Sequence, residues 1–597
     1  MTETSEKRDG VMMALIFFLA LVLRLAYDFF LRRHYFFYDH PSGDVTYYQE
    51  WAQQIARGDW LGHKAFYGLP LYPYFLAVLE RLTLGHVFLI RLFHFILGSI
   101  NCVLVYQTGK IIFNRRVGGL AAVLAATNFI LIFYDWLMMP VTLLIFLSLV
   151  IVLALLHADS MTTRREWVIL GVLIGLGVLG DGKFLIFCGL VILYLLFRWR
   201  KFLPEKIFTA LLPLGLSVLL IVFGVCLRNK LVSGEWVFIS AQNGLSFYVG
   251  NNPQSTGIFE NPEFIRPTHG GQDEDQKIIA EALAEKNLGA SEVAQFWRQK
   301  AMAFIFENPV SYVKLLFKKL FVFCRDMERA HEIDLILQRD IQKWFDVNPY
   351  FIICPLALVG MALTWKTNGT IYLNLAILGQ LITTLIFFLT TRHRLTIVPF
   401  FLIYEAFFLW WLSEQIFRRH FKSFTLAVAV IFIFLFLFQP ESIDSPTMEF
   451  LYHAKAGPIY AQQGEYDRAR EHYFKALQLR PGDSNTVYNL GTAYLMEGNF
   501  ARAQEFFQKA IQICHYNVDA LFNLGYTYEQ TGSPEFALKY YQEVLHYEPE
   551  SLDVHFRIAQ LYQKQKDCPH ANEHYTLIMS KEPTVKEKIQ QLMAQCY

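Results

Sequence analysis

A few carboxylates, cations and aromatics in this chain are placed where they could transfer a group at a membrane surface. Asp44 stands in His40-Pro41-Ser42-Gly43-Asp44-Val45-Thr46-Tyr47-Tyr48, after a long apolar run and before a short amphipathic segment that ends at Gly58. A carboxylate held there can meet a lipid-borne substrate and take a proton from an acceptor hydroxyl, which is worth about 10²–10⁴-fold in rate. It suits equally the N-cap of a helix over 45–57. Asp135, in Tyr134-Asp135-Trp136, is a second acidic candidate or a solvated loop residue, and Glu328, in the charge-rich 324–334, is a third. Lys183, after Asp181-Gly182, and Arg392 and Arg394, flanking His393, are cations that could clamp a phosphate or diphosphate. The bland alternative is that they snorkel to lipid headgroups. Tyr47, Tyr72 of the aromatic-proline stretch 66–76, and Asn251 and Asn252 are candidate acceptor or loop contacts. His40, His63, His269, His331 and His393 share no HExxH or comparable spacing, so no metal site is signalled, although a divalent cation remains an option for such chemistry.

The elements that must position these residues are membrane helices. With 597 residues, 54% hydrophobic and 16% aromatic, and a mean hydropathy of +0.30, the chain is too apolar for a soluble protein of this size. A net charge of +1 and the lack of a basic tract interleaved with aromatics exclude nucleic acid as the expected partner. The eight cysteines show no CxxC spacing, so neither zinc nor a disulfide framework is indicated. A span needs roughly 20 apolar residues. Runs near 11–31, 87–113, 117–134, 137–157, 167–180, 184–197, 207–227, 349–364, 370–390, 396–412 and 422–439 predict about eleven. The first is long and lacks a small-residue cleavage site, so it reads as a retained span. Segments 45–57 and 296–323 have the spacing of interfacial helices, with Ala301, Phe304, Val310, Val313 and Phe317 on one face.

Basic loops at 115–116, 164–165, 198–201 and 418–422 fit a cytoplasmic N-terminus. Asp44, Asp135, Lys183, the 228–348 insertion and Arg392–Arg394 then fall on the outer face. Arg32, Arg33, Arg392 and Arg394 break the positive-inside rule there, which makes them candidates for binding an anion. The expected site is therefore the extracytoplasmic face of a bacterial plasma (inner) membrane, with the tail on that side too.

That tail, 441–597, repeats about every 34 residues. Leu490-Gly491, Tyr494, Gly498, Ala503, Phe507 and Ala510 recur as Leu524-Gly525, Tyr528, Gly532, Ala537 and Tyr541, with an earlier copy from Gly457 and a weaker one through Ala559 to Tyr575. Small residues that let two helices pack, beside large ones that fill the groove, are the tetratricopeptide pattern, and such arrays bind a peptide or protein partner. The predicted domains are 1–440 in the membrane and 441–597 as a helical solenoid. The fold class is all-α: a polytopic helical membrane protein with a repeat tail.

Arg24, Asp44 with Tyr47, Ala52 and Gly58, the stretch Pro70-Leu71-Tyr72-Pro73-Tyr74, the run Tyr248 to Gly257, and Arg392-His393-Arg394-Leu395 with Pro399 together resemble the polyprenyl-phosphate-sugar glycosyltransferases of GT-C type. The nearest group is that of protein O-mannosyltransferases and the aminoarabinose transferase of lipid A. The likeness covers roughly 1–440. It implies a sugar moved, with inversion, from a polyprenyl-phosphate donor to a protein, lipid or glycan acceptor. It implies that Asp44 is the base, that Asp135 and Glu328 are lesser acidic candidates, and that Lys183, Arg392 and Arg394 hold the leaving phosphate. The second acidic place of the family holds Met138-Met139-Pro140 here. A polysaccharide ligase or polymerase of O-antigen type, and a membrane anchor whose repeats recruit partners, stay as alternatives.

Overall fold

The computed structural model describes residues 3–40, 43–201, 203–260, 262, 265, 269–325, 349–439 and 445–595. Its regular structure is helical: among the described residues the one β contact is an isolated parallel bridge between Ile258 and Leu389. The chain divides into two compact units, Met1–Pro262 with Pro267–Asp273 and Leu288–Ser442, and Glu263–Arg266 with Glu274–Asn287 and Ile443–Tyr597.

In the first unit the helices are α1 (Glu3–His34), α2 (Asp44–Ala56), α3 (Leu71–Thr83), α4 (Val87–Ile112), α5 (Arg115–Thr127), α6 (Phe129–Trp136), α7 (Val141–Leu156), α8 (Arg164–Gly180) and α9 (Lys183–Arg198). There follow α10 (Leu203–Lys206), which runs through a π turn into α11 (Leu212–Ser233), and α12 (Asn243–Gly250). Helix α13 (His269–Ala284) begins in this unit; α14 (Ala290–Glu307), α15 (Pro309–Cys324), α16 (Tyr350–Leu363), α17 (Thr370–Ile386), α18 (Thr391–Leu395), α19 (Val398–Phe417) and α20 (Phe421–Leu437) complete it.

The eleven apolar runs fall on helices, one of them, 117–134, on two, and the protein is an integral membrane protein. Four helices, Glu6–His34, Val87–Ile112, Pro204–Ser233 and Val398–Phe417, are long and apolar enough to cross a bilayer alone. The pair α5 and α6 makes a fifth if it counts as one broken span, because it bends by 54°. Asn128 causes the break: its side chain accepts from the Leu131 amide at 3.1 Å and caps α6. Helices α7, α16, α17 and α20 are apolar but shorter.

The segment read as a single interfacial helix over 296–323 is two, because Pro309 can open a helix but not continue one. Ala301 and Phe304 of α14 pack inward, whereas Val310, Val313 and Phe317 of α15 stay exposed. The buried stripe of α15 is Leu315, Lys319, Val322 and Phe323. That spacing of i, i+4, i+7 and i+8 is a core-facing one, and it carries a lysine.

The second unit is built from helix pairs, α21 (Ser445–Gln462) with α22 (Tyr466–Leu479), α23 (Ser484–Met496) with α24 (Phe500–Ile513), α25 (Val518–Gln530) with α26 (Pro534–Tyr547), and α27 (Leu552–Lys564) with α28 (Cys568–Lys581), closed by α29 (Lys586–Ala594). The repeat pattern has a direct physical cause. A Cβ at Gly457, Gly491 or Gly525 would lie 2.3, 2.8 or 2.9 Å from the ring of Tyr473, Phe507 or Tyr541. Glycine lets each ring of the second helix lie against the first. Glu274–Asn287, from the large insertion, belongs to this unit, with Ile278 buried in one cluster with Val518, Leu521, Tyr541 and Ile558. Cys568 is disulfide-bonded, which the cysteine spacing did not announce.

Candidate active site

Asp44 opens α2, and Gly43 stands before it with φ 65°, a left-handed conformation that glycine adopts without strain. Asp44 is the first residue of the helix rather than its N-cap, a place that Gly43 takes without a side-chain cap. The Asp44 carboxylate turns to Arg392, whose Nη1 donates to Oδ2. The acid is buried, 7% exposed, whereas the guanidinium is 19% exposed, so the pair is open on its arginine side. Burial works against the Arg392 charge, but Asp44, Tyr48 and Tyr134 outweigh it and hold the guanidinium protonated, above its usual range. Burial also lifts the Tyr48 phenol, to about 12, and that phenol feels the charges of Arg392, Asp44 and Asp181.

Lys183 reaches the same neighbourhood from the start of α9. Its Nζ lies 2.7 Å from Asp181 Oδ2 and donates at 3.4 Å to the carbonyl of His393, the residue next to Arg392. Lys183 also lines a cleft with Ser148, Phe184, Phe187, Thr396 and Phe400. Two of the three expected phosphate cations thus stand with Asp44, and with them comes Asp181, an acid not among the expected site residues.

Arg394 points elsewhere. It is 1% exposed, donates from Nη1 to the Arg325 carbonyl at 2.7 Å, and stacks 3.7 Å from the centre of the Tyr350 ring. Two residues apart on one short helix, Arg392 and Arg394 point to different sides.

Asp135 sits inside the bundle, not in an outer loop. Arg24 Nε donates to its Oδ2 at 2.7 Å and Thr142 Oγ1 to its Oδ1 at 2.6 Å, so both oxygens are occupied. Gly98 makes room: a Cβ there would be 2.1 Å from Asp135 Oδ2 and 2.7 Å from Arg24 Nε. Glu328 lies outside the described residues.

The aromatic candidates support the site from behind. Tyr72, 1% exposed, donates its hydroxyl to the carbonyl of Met138, which has φ 57°, and lies 3.0 Å from His94 Nε2. Tyr48 packs edge-on against Tyr72, with ring centroids 5.3 Å apart. Tyr47 packs against Tyr48 and over Gly68, where a Cβ would come within 3.2 Å of its hydroxyl. Asn251, fully buried, donates to the carbonyls of Phe247 and Ile386 at 2.9 and 2.8 Å. Asn252 closes the end of α12, donating to the carbonyls of Tyr248 and Val249 and accepting from the Gln254 amide. Among the described residues no cluster of three His, Cys, Asp or Glu side chains could hold a metal ion.

Sequence reasoning passed over Lys319. Its signal was present, as the one charged residue on the buried stripe of α15.

Residues 65–225 match the family described as dolichyl-phosphate-mannose-protein mannosyltransferase, and residues 451–515 and 483–547 match the tetratricopeptide repeat. The mannosyltransferase stretch contains Tyr72, Asp135, Asp181 and Lys183; Asp44 and Arg392 lie outside it. The resemblance read from the sequence is present in both parts of the chain, which supports a glycosyltransferase with a protein-binding tail. No curated protein matches the chain. Among solved structures, a crystal structure of MamA is 22% identical, covering 24% of this chain and 81% of that one, with a TM-score of 0.22. YrrB, described as a tetratricopeptide protein with an unusual peptide-binding site, is 21% identical, covering 22% and 68%, with a TM-score of 0.21. A tetratricopeptide protein from Parabacteroides merdae is 19% identical, covering 24% and 60%, with a TM-score of 0.23.

Proposed function

We propose that this protein transfers a sugar, with mannose the first to test, from a polyprenyl-phosphate donor to an acceptor hydroxyl at the outer face of the membrane. The observation that carries the reading is the Asp44–Arg392 pair standing beside Lys183. A guanidinium fork can bind a phosphate in bidentate fashion, and the contact with Asp44 engages Nη1 of Arg392. Once the donor's phosphate engages Arg392 and Lys183, the Asp44 carboxylate is released to accept the proton of the acceptor hydroxyl. That oxygen attacks the anomeric carbon, the bond from carbon to phosphate oxygen breaks, and the configuration inverts. The two cations stabilise charge growing on the leaving phosphate. Asp135, with both oxygens engaged by Arg24 and Thr142, serves the bundle and not the reaction.

The tail gives the acceptor side of the reading. Its repeats bind a protein or peptide, and we propose that they lie on the outer face and bring a protein acceptor to the membrane.

The test is transfer by the full-length protein in lipid vesicles given polyprenyl-phosphate mannose, with release of polyprenyl phosphate as the readout. Asp44→Asn is expected to lower the rate by about 10²-fold or more, with melting unchanged. Full activity in that variant would remove Asp44 as the base.

A further inference from the structure

The Arg392 loop is held by the large insertion, and the grip centres on one buried lysine. Lys319 Nζ donates to Asn251 Oδ1 and to the Leu385 carbonyl, both at 3.0 Å, and the side chain has no exposed surface. Asn251, so fixed, donates onward to the Ile386 carbonyl. Three residues further, Leu389 forms the parallel bridge: its amide donates to the Gly257 carbonyl at 3.0 Å, and its own carbonyl accepts from the Phe259 amide at 3.1 Å. The approach is so close that a Cβ at Gly250 would fall 2.0 Å from the Phe387 carbonyl oxygen, and one at Gly257 would touch the Lys319 stem at 3.0 Å. Thr390 then caps α18 by accepting from the His393 amide, and Arg392 leaves that turn toward Asp44.

We infer that Lys319 is a positioning residue: by bridging Asn251 and the Leu385 carbonyl, it holds 385–390 in the register that brings Arg392 onto Asp44. Burial alone costs the lysine much of its charge, pushing its ammonium down to about 7. Among the described residues no carboxylate pairs with it to offset that cost. A neutral amine carries two N–H groups, and the site offers two acceptors, so the bridge is complete without the charge. A lysine in a core-facing position, with its donors spent on a loop carbonyl and an amide, contributes geometry rather than ion pairing. Replacing it strands two buried acceptors at the base of the loop that carries Arg392.

The inference rests on the reading of Asp44 and Arg392 as the transfer site, so the test has one arm without substrate. Hydrogen exchange of the full-length protein is followed at the Phe259 and Leu389 amides in Lys319→Met and in Lys319→Gln, which keeps an N–H donor. Exchange at both amides is expected to rise at least tenfold in Lys319→Met and about threefold in Lys319→Gln, with the amides of α4 unchanged. In the vesicle assay, the KM for polyprenyl-phosphate mannose should rise about tenfold in Lys319→Met and return part of the way in Lys319→Gln. If Lys319→Met does not fold, the Lys319→Gln arm decides alone. Unchanged exchange at Phe259 and Leu389 overturns the positioning role whatever transfer does. Faster exchange with an unchanged donor KM overturns its link to Arg392. If the parent protein transfers no mannose, the function is at fault, and the exchange arm still decides whether Lys319 holds the loop.

Discussion

Two acid–arginine pairs in the membrane unit look alike on paper and differ in openness and saturation. Arg24 and Asp135 are 1% and 5% exposed, both carboxylate oxygens are occupied, and a glycine opposite leaves just enough room. Asp44 is nearly as buried as Asp135, but its Arg392 is part-exposed, a second cation lies close by, and a phenol feels both charges. A pair that is saturated and dry cannot release a charge without a large penalty, so it staples helices. A pair that is part-open and has a further cation beside it can exchange its partner for a phosphate. Openness and saturation, more than residue type, separate the structural acid from the chemical one.

That contrast can be broken or sharpened by experiment. Asp135→Leu strands the Arg24 guanidinium in the core and is expected to cost about 3–5 kcal/mol, read as a large drop in melting temperature or loss of folded protein in detergent. Adding Arg24→Met should recover most of that loss, because a buried pair replaced by apolar groups is close to neutral. A double variant no better than the single would mean that Asp135 does more than staple. At the open pair, Arg392→Lys keeps the charge but loses the planar fork, and transfer should fall about tenfold with melting unchanged. Lys183→Gln should raise the donor KM by severalfold, a smaller effect because the Arg392 fork remains. Deleting 441–597 should have the mildest effect on a lipid acceptor and a clearly larger one on a protein acceptor; equal losses would contradict a recruiting role for the repeats.

Much of this was legible in the chain. The apolar runs and the 34-residue period each depend on local spacing, and local spacing decides helices and repeat pairs. Asp44, Lys183 and Arg392 were readable as a group because each stands at the end of an apolar run, where a charge has few reasons to be. Asp135 was not, since its partner Arg24 lies 111 residues away and only packing brings them together. The break at Asn128 was hidden inside an apolar run, because capping needs just one side chain. Asn251 was read as a contact for an acceptor or loop, and its amide bonds Lys319 and the carbonyls of Phe247 and Ile386. Arg394 shares a motif with Arg392 and still leaves the site, because neighbours two apart on a helix face different ways.

The most direct test sets the two acids side by side in one preparation, Asp44→Asn and Asp135→Asn, each measured for sugar transfer in vesicles and for melting. The account predicts that Asp44→Asn melts like the parent and is silent in transfer, whereas Asp135→Asn melts lower and transfers at a rate set by the fraction still folded. Transfer retained by Asp44→Asn, or abolished in fully folded Asp135→Asn, would contradict it.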